Sequence, residues 1–261
     1  PRAIGTIGNP NYVGLFLVAT LLLGIATIYR SSKRWLTGSV VVFSMVYAGV
    51  FLTASRTTFT AMAGCSAMLV ALLARSAKQR AYTLLFVSAV CLAFWLNVTA
   101  VGVPTRVIDY TGALLSGQSL PGAQSRLDLW NSALRTLWDS GRLLLGLGAE
   151  ARTIDSGFLL ILYRQGLFGL TAVIAIWASA LARLARGIWG CAVTPASRFV
   201  CSVLLAILIS FLMLEATSQG LFYSKTGPAM ALTLGIAARA SDLWGSRSAL
   251  ASTEKSGRSP A

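Results

Sequence analysis

The sequence contains no histidine. That absence excludes catalytic triads built on imidazole and metal centres liganded by it. Charge is also scarce: 11% of the 261 residues are charged, and only 8 are aspartate or glutamate. A soluble domain carries about a quarter charged residues, so this composition excludes an ordinary soluble enzyme. Cysteine occurs at positions 65, 91, 191 and 201, with no CxxC spacing. Three of the four lie in or beside apolar runs, which fits small buried hydrophobes better than a disulfide scaffold or a metal site. Neither a Gly-rich phosphate loop nor a dinucleotide fingerprint is present, so the energy for any reaction must come with the substrate.

What the chain does have is apolar sequence: 56% of residues are hydrophobic, and the mean hydropathy is +0.71. Runs long enough to cross a bilayer fall at about 12–29, 36–54, 58–74, 81–101, 167–185, 199–214 and 220–238. They predict an all-α, polytopic membrane bundle of about seven transmembrane helices. The net charge of +14 could suggest nucleic acid, but the basic residues fall between apolar runs, where they meet anionic lipid or set orientation. Arg30, Lys33 and Arg34 form one group, Arg75, Lys78 and Arg80 a second, and Arg183, Arg186 and Arg198 a third. A fourth, Arg239, Arg247, Lys255 and Arg258, follows the last span. With seven spans all four share one side, the cytoplasmic one. The outer side receives residues 1–11, the turn at Ser55 and Arg56, a long segment 102–166, and the tie at 215–219. The expected organisation is a membrane domain over 1–245 and a disordered Ser/Gly/Lys-rich tail over 246–261. Because Pro1 starts on the outer side with no basic-then-apolar leader, one or more further spans are expected before it.

Polar chemistry collects on the outer side. Within 102–166, "SRLDLW" places Ser125 three residues before Asp128 as a helix cap, with Arg126 in the first turn. Asp128, Ser132, Arg135, Asp139 and Arg142 then recur on one face, and Leu127, Trp130, Leu134, Leu137 and Trp138 on the other, as in a helix lying at a membrane interface. Arg126 points away from the polar stripe. Either a bound phosphate or a salt bridge to a nearby carboxylate accounts for it.

The stretch "DSGFLLILYRQGLFGL" over 155–170 predicts a membrane-embedded helix interrupted at Gly166, with Gly169 close behind. Such broken elements occur where they are buried in protein or line a cavity. Asp155 and Arg164, about 13 Å apart along a helix and half a turn out of phase, cannot pair within it. Asp155 is expected at a cavity mouth and Arg164 deeper or on the opposite wall. Arg56, Arg152, Glu215 and Lys225 join them on the same side, and charges at or near membrane depth are functional candidates by default. The bland alternatives are a snorkelling anchor for Arg56, a helix cap for Asp155, and mutual or arginine pairing for Glu215 and Lys225. Several arginines facing few carboxylates suit a substrate with clustered negative charge, such as a lipid-linked pyrophosphate.

Four segments, in order, resemble the O-antigen ligase and polymerase (Wzy-like) family of bacterial envelope glycosyltransferases: "GTIGNPNYVGLFL" (5–17), "LTASRTTF" (52–59), "SRLDLWNSAL" (125–134) and "GLGAEARTIDSGFLLILYRQGLFG" (146–169). The resemblance covers about residues 4 to 235. It implies a multi-pass protein of the bacterial inner membrane, with a periplasmic active face and ten or more spans in all. The implied reaction is a metal-independent glycosyl transfer without cofactor, from a glycan on undecaprenyl pyrophosphate. Arg56 matches the family arginine after the serine of the span-end turn, and Arg126 the arginine that opens the loop helix. Where ligases carry histidine then asparagine, this chain has Asp155 and Ser156, which favours a polysaccharide polymerase.

The implied mechanism is displacement at the donor's anomeric carbon by an acceptor sugar hydroxyl. Arg56, Arg126, Arg152, Arg164 and Lys225 are candidates to hold the pyrophosphate as it leaves. Asp155 or Glu215, with Arg56, would be catalytic, the carboxylate orienting the hydroxyl and taking its proton late. Tyr110, Trp130, Tyr163 and Tyr223 are candidate sugar platforms or interfacial anchors. The expected partners are the lipid-linked glycan, membrane lipids and a chain-length regulator. A ligase using the same donor and a transporter of an organic anion are the alternatives.

Overall fold

The computed structural model describes residues 10–30, 45–46, 48–50, 55–74, 77, 81, 88, 123–148, 154–190, 193–217 and 227–239. Every regular element among them is α-helical. In chain order these are α1 (Pro10–Arg30), α2 (Arg56–Leu73), α3 (Ala123–Asp139), α4 (Gly157–Trp189) and α5 (Pro195–Thr217), followed by α6 (227–239).

The helix starts have local causes. Pro10 and Pro195 open α1 and α5, where a missing N–H costs nothing because the first turn has no acceptor for it. The Thr194 hydroxyl accepts the Ser197 N–H at 3.1 Å and caps α5. Ser55 and Ser156, both with extended backbone, cap α2 and α4 by accepting from Thr58 N–H and Leu159 N–H. The loop helix differs from expectation. It begins two residues early, at Ala123, so Ser125 lies inside its first turn and does not cap it.

By length and composition α4 and α5 are each able to cross a membrane, while Asn11–Ala26 in α1 and Thr57–Leu73 in α2 are shorter apolar stretches. The sequence spans at 12–29, 58–74, 167–185 and 199–214 coincide with α1, α2, α4 and α5, and part of 220–238 with α6. Most of the spans at 81–101 and 36–54 lies outside the described residues.

Helix α5 is the axis, with α1, α2 and α4 packed around it. It buries Cys201, Leu205, Leu208, Phe211 and Leu214 in the main core, with Leu15, Leu22, Leu69 and Trp177 from its neighbours. Small residues permit the close crossings. A Cβ on Gly14 would overlap the Thr58 side chain between α1 and α2, and one on Gly187 would overlap the Cys201 sulfur between α4 and α5. By contrast, α4 leaves Phe168, Ile174 and Ile176 exposed along its outer side.

Candidate functional site

Three helix N-termini, those of α1, α2 and α4, meet the C-terminus of α5 at one end of the bundle. The Thr57 and Thr217 hydroxyls bond at 2.9 Å, joining the start of α2 to the end of α5. The Thr58 hydroxyl donates to the Asn11 carbonyl at 3.4 Å, joining α2 to α1, and bonds the Ser55 hydroxyl at 2.8 Å. Gly157, the first residue of α4, lies against the Glu215 carboxyl group, and any Cβ there would overlap it. This is the end for which the sequence carries the expectation of an outer, extracytoplasmic position.

That last contact requires an unusual path. Gly187 faces Cys201, which fixes the level of α4 against α5. From there Glu215 lies about 21 Å up α5, whereas Gly157 on an unbroken α4 would lie about 45 Å up, about 24 Å past it. The break at Gly166 removes the discrepancy. Gly166 has φ 66° and ψ −165°, a conformation reserved for glycine, and it folds the first half of α4 back over the bundle.

The break is filled by the loop at 143–148. In a continuous helix the Leu167 and Phe168 N–H groups would donate to the Tyr163 and Arg164 carbonyls. Instead Leu167 donates to Leu143 O at 2.9 Å and Phe168 to Leu144 O at 3.3 Å. The released carbonyls accept from Leu147 N–H at 2.8 Å and Gly148 N–H at 3.0 Å. This reciprocal exchange leaves none of these eight backbone groups orphaned. It depends on Gly146 as well, at φ 76°, because a Cβ there would strike the Arg164 carbonyl, just as one on Gly166 would strike that of Leu144.

The first half of α4 and the residues before it carry the candidate chemistry. Asp155 is half-exposed and doubly engaged: Arg126 Nε contacts its Oδ2 at 2.9 Å, and the Trp130 indole N–H donates to its Oδ1 at 2.8 Å. Arg126 and Trp130 stand one turn apart on α3, so a single carboxylate clasps that helix to the α4 cap. Of the two readings of Arg126, the salt bridge is realised. Asp155 itself is not the cap, since Ser156 takes that position. Below the clasp, Ala133, Ile154, Leu160 and Tyr163 form a small separate core.

Glu215 is fully buried at the end of α5. A carboxylate there opposes its own helix dipole, but its contact with the first residue of α4 places it at the positive end of another. Arg164 is partly buried, and its Nε is shielded from solvent without a hydrogen-bond partner among the described residues. It shares a face of the half-helix with Gly157 and Ile161, the face turned toward Glu215. The clasp and the Glu215 contact thus lie two residues apart, while Arg164 stands along the same half-helix.

One aromatic assignment changes: Tyr163 is 3% exposed with its ring packed in the small core, so it offers no open face to a sugar. Trp130 is partly buried and gives its indole N–H to Asp155. Arg56 occupies the first position of α2. Its side chain, and Arg152, Lys225, Tyr110 and Tyr223 entirely, lie outside the described residues. Sequence reasoning missed Gly157, Thr57 and Thr217. Gly157 directly after a capping serine was the available signal, a small residue at a helix start where another side chain can approach. Among the described residues, no group of three or more Cys, Asp or Glu could hold a metal.

Neither the models of known protein families nor the curated proteins include a match to this sequence.

Proposed function

We propose that the chain is a polytopic bacterial inner-membrane protein and a polysaccharide polymerase. It would transfer a glycan from undecaprenyl pyrophosphate to the acceptor sugar of another lipid-linked repeat unit at the periplasmic face. The membrane reading is supported by the two long apolar helices and by the apolar residues α4 turns outward. The observation that carries the functional reading is the folded-back half of α4. It gathers Arg126, Asp155 and Glu215 at one end of the bundle, where three helices present the positive ends of their dipoles.

In this reading the donor's pyrophosphate is held by Arg126 with Arg56, and by Arg164 from the half-helix. A guanidinium has five N–H donors, more than the single Nε contact to Asp155 uses. Arg126 can therefore engage a phosphate while still fixing Asp155. The acceptor hydroxyl attacks the anomeric carbon, the carbon–oxygen bond to pyrophosphate breaks, and the hydroxyl proton passes to a carboxylate. Glu215, buried against a helix start, and Asp155, held by Trp130 and Arg126, are the two candidates. With pyrophosphate as leaving group, alignment contributes more than basicity.

The test is to supply the purified, detergent-solubilised protein with an undecaprenyl-pyrophosphate-linked repeat unit and size the products. A regular ladder from that substrate alone is the polymerase outcome. Transfer only after lipid A core or protein is added would make it a ligase, and no transfer to any acceptor would remove the glycosyltransferase reading.

A further inference from the structure

Helix α3 has three distinct faces. Arg126, Trp130, Ala133 and Leu137 face the first half of α4. Asp128, Ser132, Arg135 and Asp139 are exposed on the far side. Between them runs a third row, Leu127, Leu134 and Trp138, spaced at i, i+7 and i+11 and exposed by 47%, 40% and 72%. An apolar row of this kind bordering the protein-contact face on one side and the polar face on the other marks an interaction surface.

The row does not stand alone. The loop that follows α3 exposes Leu144 and Leu145. Leu144 is joined through its carbonyl to the N–H of Phe168, the exposed residue where the long apolar half of α4 begins. The loop is thus continuous with the outward face that carries Ile174 and Ile176. Arg135 and Arg142, both exposed, flank this surface with positive charge, as lipid phosphates require.

We infer that the outer row of α3 and the loop at 143–148 lie in the headgroup and upper acyl region of the bilayer, with Trp138, Leu144 and Leu145 as the inserted side chains. Trp130, the other tryptophan of α3, faces protein instead. The consequence is that the Arg126–Asp155 pair, on the adjoining face of the same helix, stands at headgroup depth. A charged group on a lipid would reach it without leaving the membrane. This inference rests on the reading of the chain as a membrane protein, but not on the reaction assigned to it.

The test uses the full chain, with native cysteines replaced, in vesicles of phosphatidylcholine and phosphatidylglycerol. Single spin labels are placed at Leu134→Cys, Leu145→Cys, Ser132→Cys and Ile174→Cys, and their collision with oxygen is compared with that of a water-soluble nickel chelate. Oxygen should dominate at 134, 145 and 174, and the chelate at 132. Oxygen access at 174 with chelate access at 134 and 145 would overturn this inference alone. Labels at 134 and 145 shielded from both reagents would overturn it in favour of a protein partner. Chelate access at 174 would remove the membrane reading, and this inference with it. In the unlabelled chain, Trp138→Phe should remove part of the fluorescence quenching by brominated phosphatidylcholine. Unchanged quenching would contradict the insertion of Trp138.

Discussion

Replacing Gly166 by alanine should straighten α4 and dismantle the end of the bundle where α1, α2 and α4 start. A non-glycine residue held at φ 66° and ψ −165° is strained by about 1–3 kcal/mol. The new Cβ would also overlap the Leu144 carbonyl. Straightening relieves both, and it lets Tyr163 and Arg164 carbonyls recover their helical donors. It also strands Leu143 and Leu144 carbonyls and Leu147 and Gly148 N–H groups, a net loss of two hydrogen bonds at about 1 kcal/mol each. With the small core around Ile154 and Tyr163 opened as well, the total is about 3–5 kcal/mol. Thermal unfolding in detergent should fall by roughly 10 °C. Spin labels at Leu162→Cys and Ala216→Cys, in a background without native cysteines, should move apart by roughly 10–20 Å as the half-helix swings away from α5. A Gly166→Ala protein with unchanged melting temperature and unchanged label distance would refute the fold-back argument.

Other substitutions probe the same construction. Gly146→Ala should destabilise by a similar amount, and the Gly146→Ala/Gly166→Ala double variant should be little worse than the poorer single one, since both break one interlock; full additivity in thermal melts would count against it. Gly157→Ala places a methyl group against the Glu215 carboxyl and should lower stability by about 1–3 kcal/mol, with much of the loss recovered when Glu215→Ala makes room. Equal destabilisation with and without Glu215→Ala would mean that the contact is not the cause. Trp130→Phe removes one donor to Asp155 while keeping most of the ring, so it should weaken the clasp by about 1–2 kcal/mol. Faster proteolysis between α3 and α4 would report it, and unchanged cleavage would oppose it.

Much of this was legible along the chain because it depends on local pattern. Apolar runs at helical length located α1, α2, α4 and α5, whereas the serines that cap α2 and α4, Ser55 and Ser156, were not the expected caps, which were Ser125 and Asp155. Gly166 was readable as a break, since a glycine amid an apolar helix with a second glycine three residues on rarely continues undisturbed. Its exact consequence was not readable. The break is stable only because a loop some twenty residues earlier exchanges hydrogen bonds with it, and periodicity carries no information about such a partner. The glycines at 146 and 148 were its one visible trace.

The candidate site shows the same division. The charge pattern placed Arg126, Asp155 and Glu215 on a common side. It could not say that Arg126 and Asp155 pair, because Arg126 lies on α3 and Asp155 just before the cap of α4, some thirty residues on, and only the fold brings them together. Nor could it separate the two tryptophans of α3, which fall on neighbouring faces of one helix. Trp130 turns to Asp155 and Trp138 to the outside.

The central claim is that the folded-back end of the bundle is a donor site for glycan transfer. Its most direct test compares wild type with Arg56→Ala and Arg126→Ala, each checked for an intact fold by its melting temperature, using the lipid-linked repeat unit as sole substrate. Loss of one preorganised donor to the leaving pyrophosphate should cost about 2–4 kcal/mol, a fall in transfer rate of roughly a hundredfold to a thousandfold. Wild type should give a regular product ladder, and both variants should show that fall. A ladder formed at the wild-type rate by both folded variants would contradict it.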